Sequence, residues 1–126
     1  MLLDCLFVGF GGFIGSILRY LLNLIRFEGI PFPLITLFIN TVGSFAIMFI
    51  AGLFARELIT DERLMLFLRV GLCGGFTTFS TFSAETLDLF NSGEHLAAFA
   101  YAILSVVLCV GGAWLGSLAA SSLKMV

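Results

Sequence analysis

Cys73 to Thr86 reads CGGFTTFSTFSAET, placing six hydroxyl residues, three phenylalanines and one glutamate within fourteen positions. Hydroxyls donate hydrogen bonds without bringing a full charge, and an aromatic ring has a negative face and a positive edge. Ring edges favour an anion, whereas ring faces favour a cation. On a helix at about 100° per residue, Thr77, Thr81 and Glu85 fall in one i, i+4 row with Thr78 close to it. Phe79, Phe82, Ser83 and Thr86 gather on another face. The segment offers a hydroxyl track ending in a carboxylate, beside a pair of rings. The chain has fifteen phenylalanines, so plain packing also accounts for rings at this spacing. Just upstream, Gly74-Gly75 followed by Thr77-Thr78 makes a poor continuous helix, since glycines are costly there and Thr hydroxyls compete for backbone groups. A break at this point frees carbonyls. Either they face a cation or the Thr side chains satisfy them within a simple kink.

Other polar residues stand singly. Arg19 lies inside the apolar run GSILRYLLN, where it either snorkels to the interface or draws anions into a narrow vestibule. Asn40, in TLFINTVGSF, serves as interhelical glue or as an amide donor to a passing anion. Tyr101 and Ser105 form an i, i+4 pair with the look of ordinary interhelical hydrogen bonders. Glu85 needs a partner or water, unless it sits at the membrane interface. His95 has no second His or Cys at ligand spacing, and Cys5, Cys73 and Cys109 fall on three separate spans with no CxxC pair. We read the cysteines as small buried apolar residues. No Ser-His-Asp set, no suitably placed carboxylate pair and no phosphate-binding glycine loop is present, which argues against an enzyme.

These residues must be held by membrane-spanning helices. Of 126 residues 60% are hydrophobic and 11% charged, with a mean hydropathy of +1.16. A soluble domain has about 25% charged residues, so too little polar surface exists here to cover one. Apolar stretches of about 20 residues cross a bilayer, and four are expected, at about Leu2–Ile25, Pro33–Ala55, Leu64–Phe90 and Leu96–Ala120. The N-terminus carries Asp4 and no basic n-region, so the first span is read as retained. The loops FEGIPF, RELITDER and NSGEH carry turn and cap chemistry at Gly29, Pro31, Thr60-Asp61-Glu62 and Asn91-Ser92-Gly93. They are short enough to leave neighbouring helices antiparallel within a single four-helix domain over residues 1–126.

An even number of spans puts both termini on one side, with Arg56, Arg63, Arg69 and Lys124 there against Arg19 and Arg26 opposite. That is a weak orientation signal, compatible with insertion both ways. The net charge of −2, with six scattered basic residues, excludes nucleic acid as a partner. GxxxG pairs at Gly11/Gly15, Gly71/Gly75 and Gly112/Gly116 allow close helix approach. Three such pairs exceed what one four-helix unit needs, which favours a homo-oligomer.

GGFTTFSTFSAET, TLFIN-TVGSF and GSILRY, in this order along a chain of this length, resemble the Fluc (CrcB) family of fluoride channels. The resemblance covers essentially the whole sequence. It implies an all-α membrane protein, an antiparallel homodimer with two pores, and passive fluoride export across the bacterial cytoplasmic (inner) membrane. It implies that the third helix is broken near mid-membrane, with the carbonyls of Gly74 and Thr77 from both subunits holding a structural Na⁺ at the dimer centre. Phe79 of one subunit and Phe82 of the other would line each pore, with Asn40 donating to the ion between them. Ser80, Thr81, Glu85, Tyr101 and Ser105 match the family's polar track, and Arg19 its basic vestibule residue. Phe76 is bulkier than the aliphatic expected at its position. The competing reading is a proton-coupled small multidrug-type exporter, also four-spanned, which needs a glutamate in the first span; here that span has no acid after Asp4.

Overall fold

The computed structural model describes residues 1–25, 29 and 32–123. Helix α1 spans Leu2–Asn23, α2 Leu34–Ala55, α3 Glu62–Met65, α4 Gly74–Phe76, α5 Phe79–Asn91 and α6 His95–Ser122, with a π-helical segment, Leu66–Cys73, joining α3 to α4. Among the described residues, four helical stretches are long and apolar enough to cross a membrane, the third being the run Glu62–Asn91. Their ends fall within a few residues of the expected spans. Arg26, Pro31 and Lys124, invoked above for charge bias and turn chemistry, lie outside the described residues.

Local chemistry sets the boundaries. Asp61 caps α3, its carboxylate accepting from the N–H groups of Arg63 and Leu64 at 2.8 and 3.2 Å. Thr78 caps α5 by accepting from the Thr81 N–H at 3.1 Å. Helix α5 ends in a Schellman turn: Gly93 has φ +81°, its N–H reaches the Phe90 carbonyl, and the Glu94 N–H reaches that of Leu89. Helix α2 ends the same way, with Glu57 in the left-handed position at φ +58°. Arg56 then donates to the Ser121 and Leu123 carbonyls, tying the end of α6 to the end of α2.

Backbone-to-backbone approach holds the bundle. Helix α1 packs along the π segment and α4, and α2 packs along α6. A Cβ at Gly71 would stand 2.6 Å from the Val8 carbonyl oxygen, and one at Gly15 would collide with that of Leu72. A Cβ at Gly112 would stand 2.9 Å from the Thr41 carbonyl oxygen, and one at Gly116 would collide with that of Phe45. All three GxxxG pairs are therefore consumed inside one chain. The glycine argument for an oligomer fails, because each pair already has an intrachain backbone against it.

The third stretch also differs from a uniform helix at 100° per residue. Gly74 and Gly75 are helical; the extended residues are Thr77, with φ −81° and ψ 158°, and Thr78, with φ −154° and ψ 120°. Thr77 precedes α5, so the expected Thr77–Thr81–Glu85 row keeps only its last two members. The N-cap of Thr78 wins over the helical phase assumed across it.

Candidate functional site

The extended pair Thr77-Thr78 is fixed by one long-range partner, Asn40, and by local bonds to Cys73, while Arg19 holds Gly75 just upstream. Asn40, from the N-terminal half of α2, receives the Thr78 N–H on Oδ1 at 2.8 Å and donates Nδ2 to the Thr78 carbonyl at 3.0 Å. Arg19, from α1, donates Nε to the Gly75 carbonyl at 3.0 Å, so its head turns to the chain's interior instead of following the snorkelling alternative. Thr77 donates both its N–H and its hydroxyl to the Cys73 carbonyl, at 3.0 and 2.9 Å.

These bonds divert backbone donors. A continuous helix would aim the Thr78 N–H at the Gly74 carbonyl and the Thr81 N–H at the Thr77 carbonyl. The first goes to Asn40 and the second to the Thr78 hydroxyl. Gly74 and Thr77 thus present carbonyls that have lost their helical donors, and Gly74 lies exposed. An oxygen-only pair of this kind suits a hard cation.

Past the cap, α5 carries the rings and the carboxylate. Phe79 and Phe82 have centroids 5.4 Å apart, and Phe82 lies 5.2 Å from Tyr101. Phe79 is 79% exposed, whereas Tyr101 is wholly buried. Glu85 is enclosed by hydroxyls: Thr36 donates to Oε1 and Tyr101 to Oε2, each at 2.7 Å. The carboxylate thus has the partners that a glutamate in an apolar span needs. Thr36 escaped the sequence reading. Its signal is a hydroxyl one turn before Asn40 on the same face of α2.

The six hydroxyls of the third stretch divide by use. Ser83 and Thr86 donate back to the Phe79 and Phe82 carbonyls, and Thr77 and Thr78 are spent on the local backbone and on Thr81. Ser80 is exposed and Thr81 half-buried; among the described residues neither hydroxyl donates to a protein group. Ser105, on α6, is buried with its Oγ unpartnered among the described residues.

Asn40, Thr77, Thr78, Phe79, Phe82 and Ser105 meet around a cleft of about 310 Å³ between α2, α5 and α6. Among the described residues no side chain lining it is charged; the cleft offers one amide, hydroxyls, a thiol, two phenylalanine rings and apolar wall. Glu85, Tyr101, Arg19, Ser80 and Thr81 stand around it without lining it. The only acid on α1, Asp4, pairs with the N-terminal amine at 2.6 Å and with Arg63 at 3.5 Å. No carboxylate from that helix therefore faces the cleft.

The family model described as CrcB-like protein, Camphor Resistance (CrcB), matches residues 6–117. A Nitrobacter hamburgensis protein named fluoride-specific ion channel FluC 1 is 50% identical over 106 residues, covering 82% of this chain and 84% of the relative. A Ruminiclostridium cellulolyticum protein named fluoride-specific ion channel FluC is 41% identical over 120 residues, covering 92% and 91%. A Campylobacter jejuni protein of the same name is 45% identical over 118 residues, covering 92% and 96%.

Proposed function

Because this chain belongs to the CrcB-like family, we propose that it is a fluoride channel, not an enzyme, and that the uncharged cleft at Asn40 is part of its anion path. The observation that carries the proposal is the lining itself. Stripping water from a small anion is expensive, and the cost must be met by several modest donors that still let the ion leave. An amide, hydroxyls and ring edges meet both needs, whereas a lysine at the same place would trap the ion. Asn40 keeps a second amide hydrogen beyond the one given to Thr78, and Ser105 has an unspent hydroxyl.

The path is incomplete in one chain. Phe79 is largely uncovered and Gly74 lies exposed beside it, so a second copy set against this face would close the cleft. In the arrangement we propose, two copies lie head to tail, the third helix is broken near mid-membrane in each, and two pores form. Each pore takes Phe79 from one copy and Phe82 from the other. The Gly74 and Thr77 carbonyls of both copies would hold Na⁺ between them, a hard cation among oxygen ligands, and its role there is structural. Ser80, Thr81, Ser105, Tyr101 and Glu85 continue the polar route, and Arg19 supplies positive potential near its entrance. Membrane potential across the bacterial cytoplasmic membrane would drive fluoride outward.

A proton-coupled exporter of cations finds no support at the cleft, since the α1 carboxylate it requires is the terminal, ion-paired Asp4. The test is passive flux. Protein reconstituted into fluoride-loaded liposomes should release fluoride quickly, while chloride-loaded liposomes stay full. Retention of fluoride by demonstrably inserted protein sinks the channel reading.

A further inference from the structure

The end of the cleft farthest from Glu85 has chemistry of its own. Ser105 and Cys109 lie one turn apart on α6, and Ser44 lies one turn past Asn40 on α2; all three line the same cleft as Asn40. Ser105 is 7% exposed with its Oγ unpartnered among the described residues. Ser44 likewise donates to no carbonyl among them, although nearby Thr41 donates to that of Leu37 at 2.8 Å. A buried hydroxyl is rarely left without a partner, so the idle Ser105 donor, with half-buried Ser44 on the same cleft, marks a place built for something else to accept from it.

Resting on the channel reading, we propose that Ser44, Ser105 and Cys109 flank the anion's route beyond the aromatic pair, and that the Cys109 thiol is a modification site where a small soft electrophile closes that route. The cysteines differ in setting: Cys5 is exposed near the N-terminus, Cys73 is buried, and Cys109 is half-buried on the cleft wall. With methyl methanethiosulfonate, the Cys109 sulfur loses its proton to water and attacks the sulfenyl sulfur. An S–S bond forms, the S–S bond of the reagent breaks, and methanesulfinate leaves with the electron pair. The side chain gains a methylthio group, which narrows the cleft and replaces a weak donor with none.

The experiment measures fluoride release from liposomes before and after this reagent, with the modified peptide identified by mass. Wild type and a Cys5→Ser/Cys73→Ala protein that keeps Cys109 should both lose flux by roughly tenfold or more, as expected where a narrow path is filled. Dithiothreitol should restore it. Cys109→Ser should keep whatever flux it has when treated. Full labelling of Cys109 with undiminished flux overturns the inference while leaving the channel reading intact. So does failure of the reagent to reach Cys109, or equal inhibition of Cys109→Ser. Absence of fluoride flux before treatment overturns both.

Discussion

Asn40 and Thr78 exchange two hydrogen bonds, the amide oxygen of one receiving the backbone N–H of the other and the amide nitrogen returning to its carbonyl. The side chain imitates a strand neighbour and satisfies both backbone groups of an extended residue in an apolar setting. Asn40→Leu leaves both unpaired, and should lower stability by about 1–3 kcal/mol in detergent unfolding. Asn40→Asp keeps the acceptor but sets a negative charge on the cleft wall, and should cut fluoride flux by about tenfold or more even where the protein stays folded. Equal flux from Asn40→Asp and wild type in liposomes would remove the cleft from the anion path.

Glu85 makes a second test of buried polarity. Thr36→Val and Tyr101→Phe each delete one hydroxyl donated to the carboxylate. Each should cost about 0.6–1.7 kcal/mol, the range measured for hydrogen bonds between membrane helices. In Glu85→Leu the same hydroxyl deletions should cost clearly less, so a double-mutant cycle of unfolding energies should show coupling. Additive losses would mean that the triad is geometric coincidence.

Two glycines four residues or fewer apart should behave in opposite ways. Gly71→Ala drives a Cβ against the Val8 carbonyl, and should separate α1 from the π segment with loss of folded protein on size-exclusion chromatography. A Cβ at Gly74 meets nothing within 4 Å in its own chain. If the proposed pair forms, Gly74→Ala should therefore leave the single chain folded and weaken only that pairing, seen as a shift from dimer to monomer in sedimentation. A Gly74→Ala protein that remains as dimeric as wild type would place the contact between copies elsewhere.

Glu57 occupies the left-handed position that Gly93 occupies at the end of α5. A side chain there is strained by roughly 1–2 kcal/mol relative to glycine. Glu57→Gly should raise the unfolding midpoint, and Gly93→Ala should lower it. Unchanged midpoints in both would show that these turns are already frayed under the conditions of measurement.

Four spans, their loops and the polar third stretch are legible in the residues because apolar length and hydroxyl clustering are local properties. The contacts that organise the site are not local. Arg19 meets Gly75 across 56 positions and Thr36 meets Glu85 across 49, and no spacing rule pairs residues that far apart. The row through Thr77 fails for a different reason: Thr78 caps α5, which resets the phase on which Thr77 aligns with Thr81. Leu66–Cys73 carries an apolar pattern that serves a π-helix as readily as an α-helix, so its geometry has no sequence mark. The glycine pairs mark close-approach points in the sequence, but the spacing is the same whether the approaching backbone belongs to the same chain or to another.

Asn40, Arg19 and Thr77 together satisfy Thr78, Gly75 and Cys73 from within a single copy. Irregular backbone is tolerated in hydrocarbon only when its polar groups have protein partners or a polar cavity. A newly inserted chain supplies the partners of Thr78, Gly75 and Cys73 itself, and only the Gly74 and Thr77 carbonyls are left for the proposed second copy and its cation. Biogenesis can then proceed in two stages, with each copy threading and setting its own extended Thr77-Thr78 step first. In the proposed head-to-tail pair, association would follow by lateral diffusion between such halves, and copies inserted in either direction would be equally ready to meet.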